Sequence, residues 1–228
     1  MKHRTCTIPI LLLFMAAAQA AEMRFDQHGN MLLPDHTYLT QGLKDHRQGY
    51  PNDAMRNLKK AAKFGNPYAQ SAIAYIHLQQ KEHQLALAWF QLVDLKMIDK
   101  DQAIIELMDA LQKHLSAAEL QAVDRLYQAL KLEYGKSAAL EHRIAWQNGI
   151  AIGGTKLKGK VPGRVKIYPS ARIEKKGMET EIFVSGTVVS GESVRLQMDE
   201  FVFEYELRFT EGRVRMGELE LLEEEAQI

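Results

Sequence analysis

Apolar residues recur along this chain with two different periods. Between residues 37 and 147 they return every three or four positions. Ala54, Leu58, Ala61, Ala62 and Gly65 make one stripe, Ala69, Ile73, Ile76 and Gln80 a second, and Leu85, Ala86, Trp89, Phe90 and Val93 a third. That spacing gathers side chains on one face of a helix. It predicts helices over roughly 37–48, 51–64, 67–79, 82–96, 99–114 and 116–134, with a short one near 137–147. The ends are marked by residues that cap or break helices. Asn52 or Asp53 can cap the second helix, Gly65-Asn66-Pro67 closes it and opens the third, and Ser116 with Glu119 forms a capping box. Short connections make consecutive helices antiparallel, which gives a stack of helical hairpins.

From residue 148 the period changes to two. Phe201, Phe203, Tyr205, Leu207 and Phe209 alternate with Val202, Glu204, Glu206 and Arg208, the pattern of a strand with one wet face. Similar signals cover 181–189 and 213–222, weaker ones 164–168 and 194–198. Ser190-Gly191-Glu192 and Thr210-Glu211-Gly212 fit hairpin turns. The expected fold class is α+β and multidomain, an α-helical hairpin array followed by a small antiparallel β-sheet module. The expected divisions are a signal peptide at 1–21, an irregular leader at 22–36, helical repeats with a terminal capping helix at 37–147, and the β module with an acidic tail at 148–228.

Composition refines this. The 228 residues hold 29 Lys+Arg against 29 Asp+Glu, 46% hydrophobic residues and one Cys. That balance argues against a general nucleic-acid binder, a Cys-ligated zinc module and a disulfide scaffold. Lys2, His3 and Arg4, the apolar run 8–18 and Ala18-Gln19-Ala20 have the form of an export signal cleaved after Ala20 or Ala21. The apolar run falls short of the ~20 residues a membrane-spanning helix needs. Cys6 precedes that run, so it is not placed as a lipid-modified Cys would be. The mature chain is then expected in the periplasm or outside the cell, with no Cys, no transmembrane segment, and 27 basic against 29 acidic residues.

The segment from Asp53 through Ala54, Leu58, Ala61-Ala62, Gly65-Asn66 and Ala69-Gln70 resembles the heart of the Sel-one-like repeat, a relative of the tetratricopeptide repeat. Ala86 and Trp89-Phe90 look like the first helix of the next unit, since Ala54 and Ala86 are 32 residues apart. The match is strongest over 53–93. Ala74 stands where the family usually has Gly, and the signature fades after Val93. The stretch 116–134 looks like the helix that caps such an array. The resemblance implies a non-catalytic scaffold that presents a curved surface to a protein or peptide. Tyr75, His77 and Trp89 are its candidate contact residues, against the alternative that Tyr75 and Trp89 are core and His77 is a solvated or capping residue.

Charge is segregated in the C-terminal part. Lys156, Lys158, Lys160, Arg164, Lys166, Arg172, Lys175 and Lys176 face only Glu174 within 156–176, whereas 177–228 carry four Arg against thirteen acids. The basic stretch is a candidate contact for an anionic envelope surface, or else a solvated set that pairs across strands. The aromatic stripe at 201–209 could stack sugars or fill the core. No catalytic, cofactor or metal set is evident. The mature His residues, at 28, 36, 46, 77, 83, 114 and 142, include no pair at ligand spacing on one helix face, and Gly153-Gly154-Thr155-Lys156 lacks the spacing of a phosphate-binding loop. The expected function is an exported, non-catalytic adaptor of the cell envelope. The alternatives are a ligand- or glycan-binding protein using the β module, and a hydrolase with its site between the two parts.

Overall fold

The computed structural model describes residues 23–26, 28–98, 101–150, 159–168, 170–175, 178–183 and 188–207. It is mostly helical, with small antiparallel strand pairs, an α+β composition. The helices are α1 (Pro34–Arg47), α2 (Pro51–Lys63), α3 (Pro67–Gln79), α4 (His83–Phe90), α5 (Asp101–His114), α6 (Ala117–Tyr134), α7 (Lys136–Gly149) and α8 (Gly191–Leu207). The strands are β1 (Lys166–Ile167), β2 (Ser170–Lys175), β3 (Met178–Phe183) and β4 (Val189–Ser190).

Each of the first three helices opens on a proline, whose fixed φ and missing N–H suit that position. Asn66 caps α3 by accepting from the Ala69 amide at 3.0 Å. Ser116 and Glu119 complete the capping box of α6. The cap expected at Asn52 or Asp53 is not formed: α2 starts at Pro51 with Tyr50 in the N-cap position, and Asp53, inside its first turn, pairs with Arg56 at 2.6 Å. The fourth helix is also shorter than expected. It stops at Phe90, and Asp94 caps a separate 3-10 turn over Leu95–Met97.

α1 packs along α2, α3 along α4, and α4 against α6. Small residues allow the close crossings. Ala54, Ala61, Ala62, Ala69, Ala74, Ala86 and Ala88 are fully buried, and a Cβ on Gly42 would lie 2.8 Å from the Leu58 side chain. Leu58, Ile73, Leu87, Trp89 and Phe90 fill the space between the layers.

The C-terminal part departs most from expectation. Residues 194–198 and 201–207, expected as strands, belong to the single helix α8, and Ser190-Gly191-Glu192 is its start, not a hairpin turn. There the Ser190 hydroxyl accepts from the Ser193 amide at 3.1 Å. Val194, Met198, Phe201 and Tyr205 share a helical period as well as their alternation with polar residues, and these four are buried. The described part of the stripe, Phe201 to Leu207, thus lies on a helix and not on a strand. Gly191 is required by approach rather than by φ, since the Pro162 carbonyl oxygen occupies the space a Cβ would need.

The strand pairings are short. β1 pairs antiparallel with β4 (Lys166↔Ser190, Ile167↔Val189), and β2 with β3 from Ser170↔Phe183 to Lys175↔Met178. The expected strands at 164–168 and 181–189 therefore contain β1, part of β3 and β4. The strand and turn expected over 210–222 lie outside the described residues. Met31 of the leader joins Ile150, Val161, Val189, Val194 and Met198 in a second apolar cluster, against which Trp146 of α7 packs. The leader also carries an antiparallel bridge, Phe25↔Met31.

Candidate functional site

A cleft of about 460 Å³ opens where the N-terminal ends of α1 and α3 meet α7 and α8. Its floor is polar and buried. Arg143 on α7 donates from Nε to the Phe64 carbonyl at 2.8 Å and from Nη1 to the Phe201 carbonyl at 2.7 Å. Its Nη2 lies 3.5 Å from Asp35 Oδ2. The guanidinium sits between two rings of α8, 4.0 Å from the centroid of Phe201 and 4.1 Å from that of Tyr205. Both charges are nearly shielded from water, with Arg143 6% and Asp35 5% exposed. A desolvated guanidinium over an aromatic face contributes ~2 kcal/mol or more, and removing one partner of such a buried pair costs ~3–5 kcal/mol.

Local backbone structure prepares this floor. Asp35 stands in the first turn of α1, where the helix dipole favours a carboxylate, and its Oδ1 accepts from the His36 amide at 2.8 Å. Asn66 Nδ2 donates to Asp35 Oδ2 at 3.4 Å while the same side chain caps α3. Gly65 adopts φ +72°, and the Tyr205 hydroxyl occupies the space a Cβ would need. The turn Gly65-Asn66-Pro67 therefore stops one helix, starts the next and seats α8. Among the described residues every buried side-chain nitrogen and oxygen has a hydrogen-bond partner.

The rim is open and chemically mixed. His36, Tyr68, Glu200 and Glu204 are exposed there, with Gln197 and Met97 half-buried beside them. The volume falls within the ~300–1,000 Å³ span of ligand clefts. A floor whose charges are matched and a rim of hydrogen-bonding and aromatic groups can hold a polypeptide segment.

The three helical contact candidates separate. Trp89 is 1% exposed and packs on Tyr134 with ring centroids 4.7 Å apart, so it is core and offers no surface to a partner. Its burial follows from its position on α4, which packs against both α3 and α6. Tyr75 is 40% exposed and meets Phe90 edge to face at 5.1 Å, half core and half surface. His77 Nδ1 bonds Glu82 across the α3–α4 turn, a structural clasp with little exposed area. Tyr75 and His77 lie away from the cleft.

The cations divide in the same way. Lys160, Arg164 and Lys166 are exposed. Lys175 ends β2, opposite Met178. Lys156, Lys158 and Lys176 lie outside the described residues. In the β2–β3 register the backbone partner of Arg172 is Glu181.

Asp35, Asn66, Arg143, Gly65 and Tyr205 were not marked as a set by the sequence. The Gly-Asn-Pro turn alone was visible, because Asp35 and Arg143 are 108 residues apart. No known family model, curated protein or solved structure matches the chain. Among the described residues no group of three or more His, Cys, Asp or Glu side chains is placed to hold a metal ion, and no helix is long and apolar enough to cross a membrane.

Proposed function

We propose that this chain is an exported, non-catalytic scaffold of the cell envelope, built on Sel-one-like helical hairpins, that holds a segment of a partner protein in the cleft between α1, α3 and α8. One observation carries the reading: the cleft combines an exposed rim, with Tyr68 44% accessible, and a floor whose Arg143 and Asp35 are engaged in fastening α8. Such a floor favours binding through shape and hydrogen bonds over transfer of a proton to or from a bound group. The exposed cations Lys160, Arg164 and Lys166 would give a second, electrostatic contact with an anionic envelope surface.

Affinity purification of the mature chain from an envelope fraction tests the cleft. A protein captured by the wild-type chain should be lost with the double variant His36→Ala/Tyr68→Ala and retained with Leu132→Ser, a change at an exposed site elsewhere. Equal capture by both variants, or no capture above background, contradicts the reading. For the basic stretch, sedimentation with anionic vesicles should be strongest at low salt, and its absence there removes that contact.

A second reading, hydrolysis at this cleft, draws on the convergence of His36, Asp35, Glu200 and Glu204 along its lining. It requires turnover of an ester, amide or glycoside that His36→Ala abolishes. No turnover across those substrate classes leaves the scaffold reading in place, whereas turnover unaffected by His36→Ala would place catalysis elsewhere in the chain and contradict both readings.

A further inference from the structure

The buried side of α8 closes the second apolar cluster and the cleft, yet the opposite side is also apolar. Leu196, Phe203 and Leu207 are 58%, 56% and 51% exposed. At 100° per residue these three fall within about 40° of one another and directly opposite Val194, Met198, Phe201 and Tyr205. They run about 17 Å along the helix, at the i, i+7, i+11 spacing by which one helix seats another. A surface helix normally turns one apolar face inward and one polar face outward, so two opposed apolar faces imply a second contact.

The charges select the occupant. α8 carries Glu192, Asp199, Glu200, Glu204 and Glu206 against one cation, Arg195. Glu192 and Asp199 fall on one side of the exposed stripe and Glu200 on the other, and all three are exposed. A second copy of this helix would bring like carboxylates together across a twofold contact. An anionic lipid surface would be repelled for the same reason. A helix with leucine-like anchors flanked by lysine or arginine meets both requirements.

We propose that the outward face of α8 is a docking stripe for an amphipathic basic helix of a partner protein, anchored by Leu196, Phe203 and Leu207 and flanked by Glu192, Asp199 and Glu200. Of these residues only Glu200 also lines the cleft rim, and the anchors Leu196, Phe203 and Leu207 stand outside it.

Fluorescence anisotropy with a labelled helical peptide of leucine–lysine heptads, and with its leucine–glutamate counterpart, tests this on the mature chain. The lysine peptide should bind, and raising salt from about 0.05 to about 0.5 M should weaken it. The glutamate peptide should bind at least about tenfold more weakly. Leu196→Ser/Phe203→Ser should weaken the lysine peptide by about tenfold or more, while Leu132→Ser leaves it within about twofold. Both changes are at exposed sites, and an unchanged far-UV circular dichroism spectrum would show that the fold is kept. Equal binding of the two peptides, equal loss with Leu132→Ser, no loss with the double variant, or no binding at all would overturn the assignment. So would Leu196/Phe203-dependent partitioning onto neutral phosphatidylcholine vesicles, which would make the stripe a membrane face.

Discussion

Around Trp89 the chain is closed by apolar contact: a ring against Tyr134 and fully buried alanines at the crossings. Around Arg143 it is closed by a guanidinium held between two aromatic rings, two backbone carbonyls and a carboxylate. The first arrangement is tolerant of direction and depends on volume, whereas the second depends on atoms meeting at particular places. The helical body should therefore lose stability as a unit when its volume is disturbed. The returning helix α8 should come away alone when its clamp is cut.

The largest effect should come from Trp89→Ala. Truncating a buried aromatic leaves a cavity worth ~3–5 kcal/mol, and urea unfolding followed by circular dichroism should show one transition displaced for the whole chain. A midpoint shift no larger than that of a surface substitution would mean that α4 is not the centre of the body.

Arg143→Ala should follow at ~3 kcal/mol, because it strands Asp35 in a buried setting and removes donors from two carbonyls. Its mark is locality: limited proteolysis should cut near α8 while the fragment spanning α1–α6 survives. Ser116→Ala should cost ~1 kcal/mol through loss of the α6 cap, and thermal unfolding is the readout. Ser116→Asp, which restores an N-cap acceptor, should recover most of it.

The smallest effect is a pH dependence. Burial near Phe64, with the charge of Lys63 nearby, holds the His142 imidazole below its ordinary value of 6.5. The unfolded chain then binds more protons than the folded one just below that value, so stability falls as pH drops from about 6.5 toward the folded value. His142→Gln should flatten that part of the stability–pH curve. An unchanged slope would assign it to other groups.

The body was legible because its signals are local. Ser116 and Glu119 sit three residues apart, Gly65-Asn66-Pro67 is contiguous, and the alanine and leucine steps repeat within one or two turns. For Trp89, helical spacing gives a face without saying what covers that face, so surface and core are not distinguished there.

The returning segment carries a pattern that fits both a strand and a helix. Phe201, Phe203, Tyr205 and Leu207 alternate as a strand would, but two of them belong to the inner face of a helix and two to the outer, and only packing separates those cases. The clamp itself had no sequence signal. Its members come from α1, the α2–α3 turn, α7 and α8, and nothing in the spacing of Asp35, Asn66, Arg143 and Tyr205 announces that they meet.

Amide hydrogen exchange on the wild-type chain and on Arg143→Ala tests the central claim, that α8 is a helix fastened to the helical body by Arg143. In the wild type, amides across residues 195–205 should be protected. In the variant they should exchange faster by about two orders of magnitude, while those of α2, α3 and α4 keep their protection. Unprotected amides across 195–205 in the wild type, or loss of protection in α8 and α2–α4 together in the variant, would contradict it.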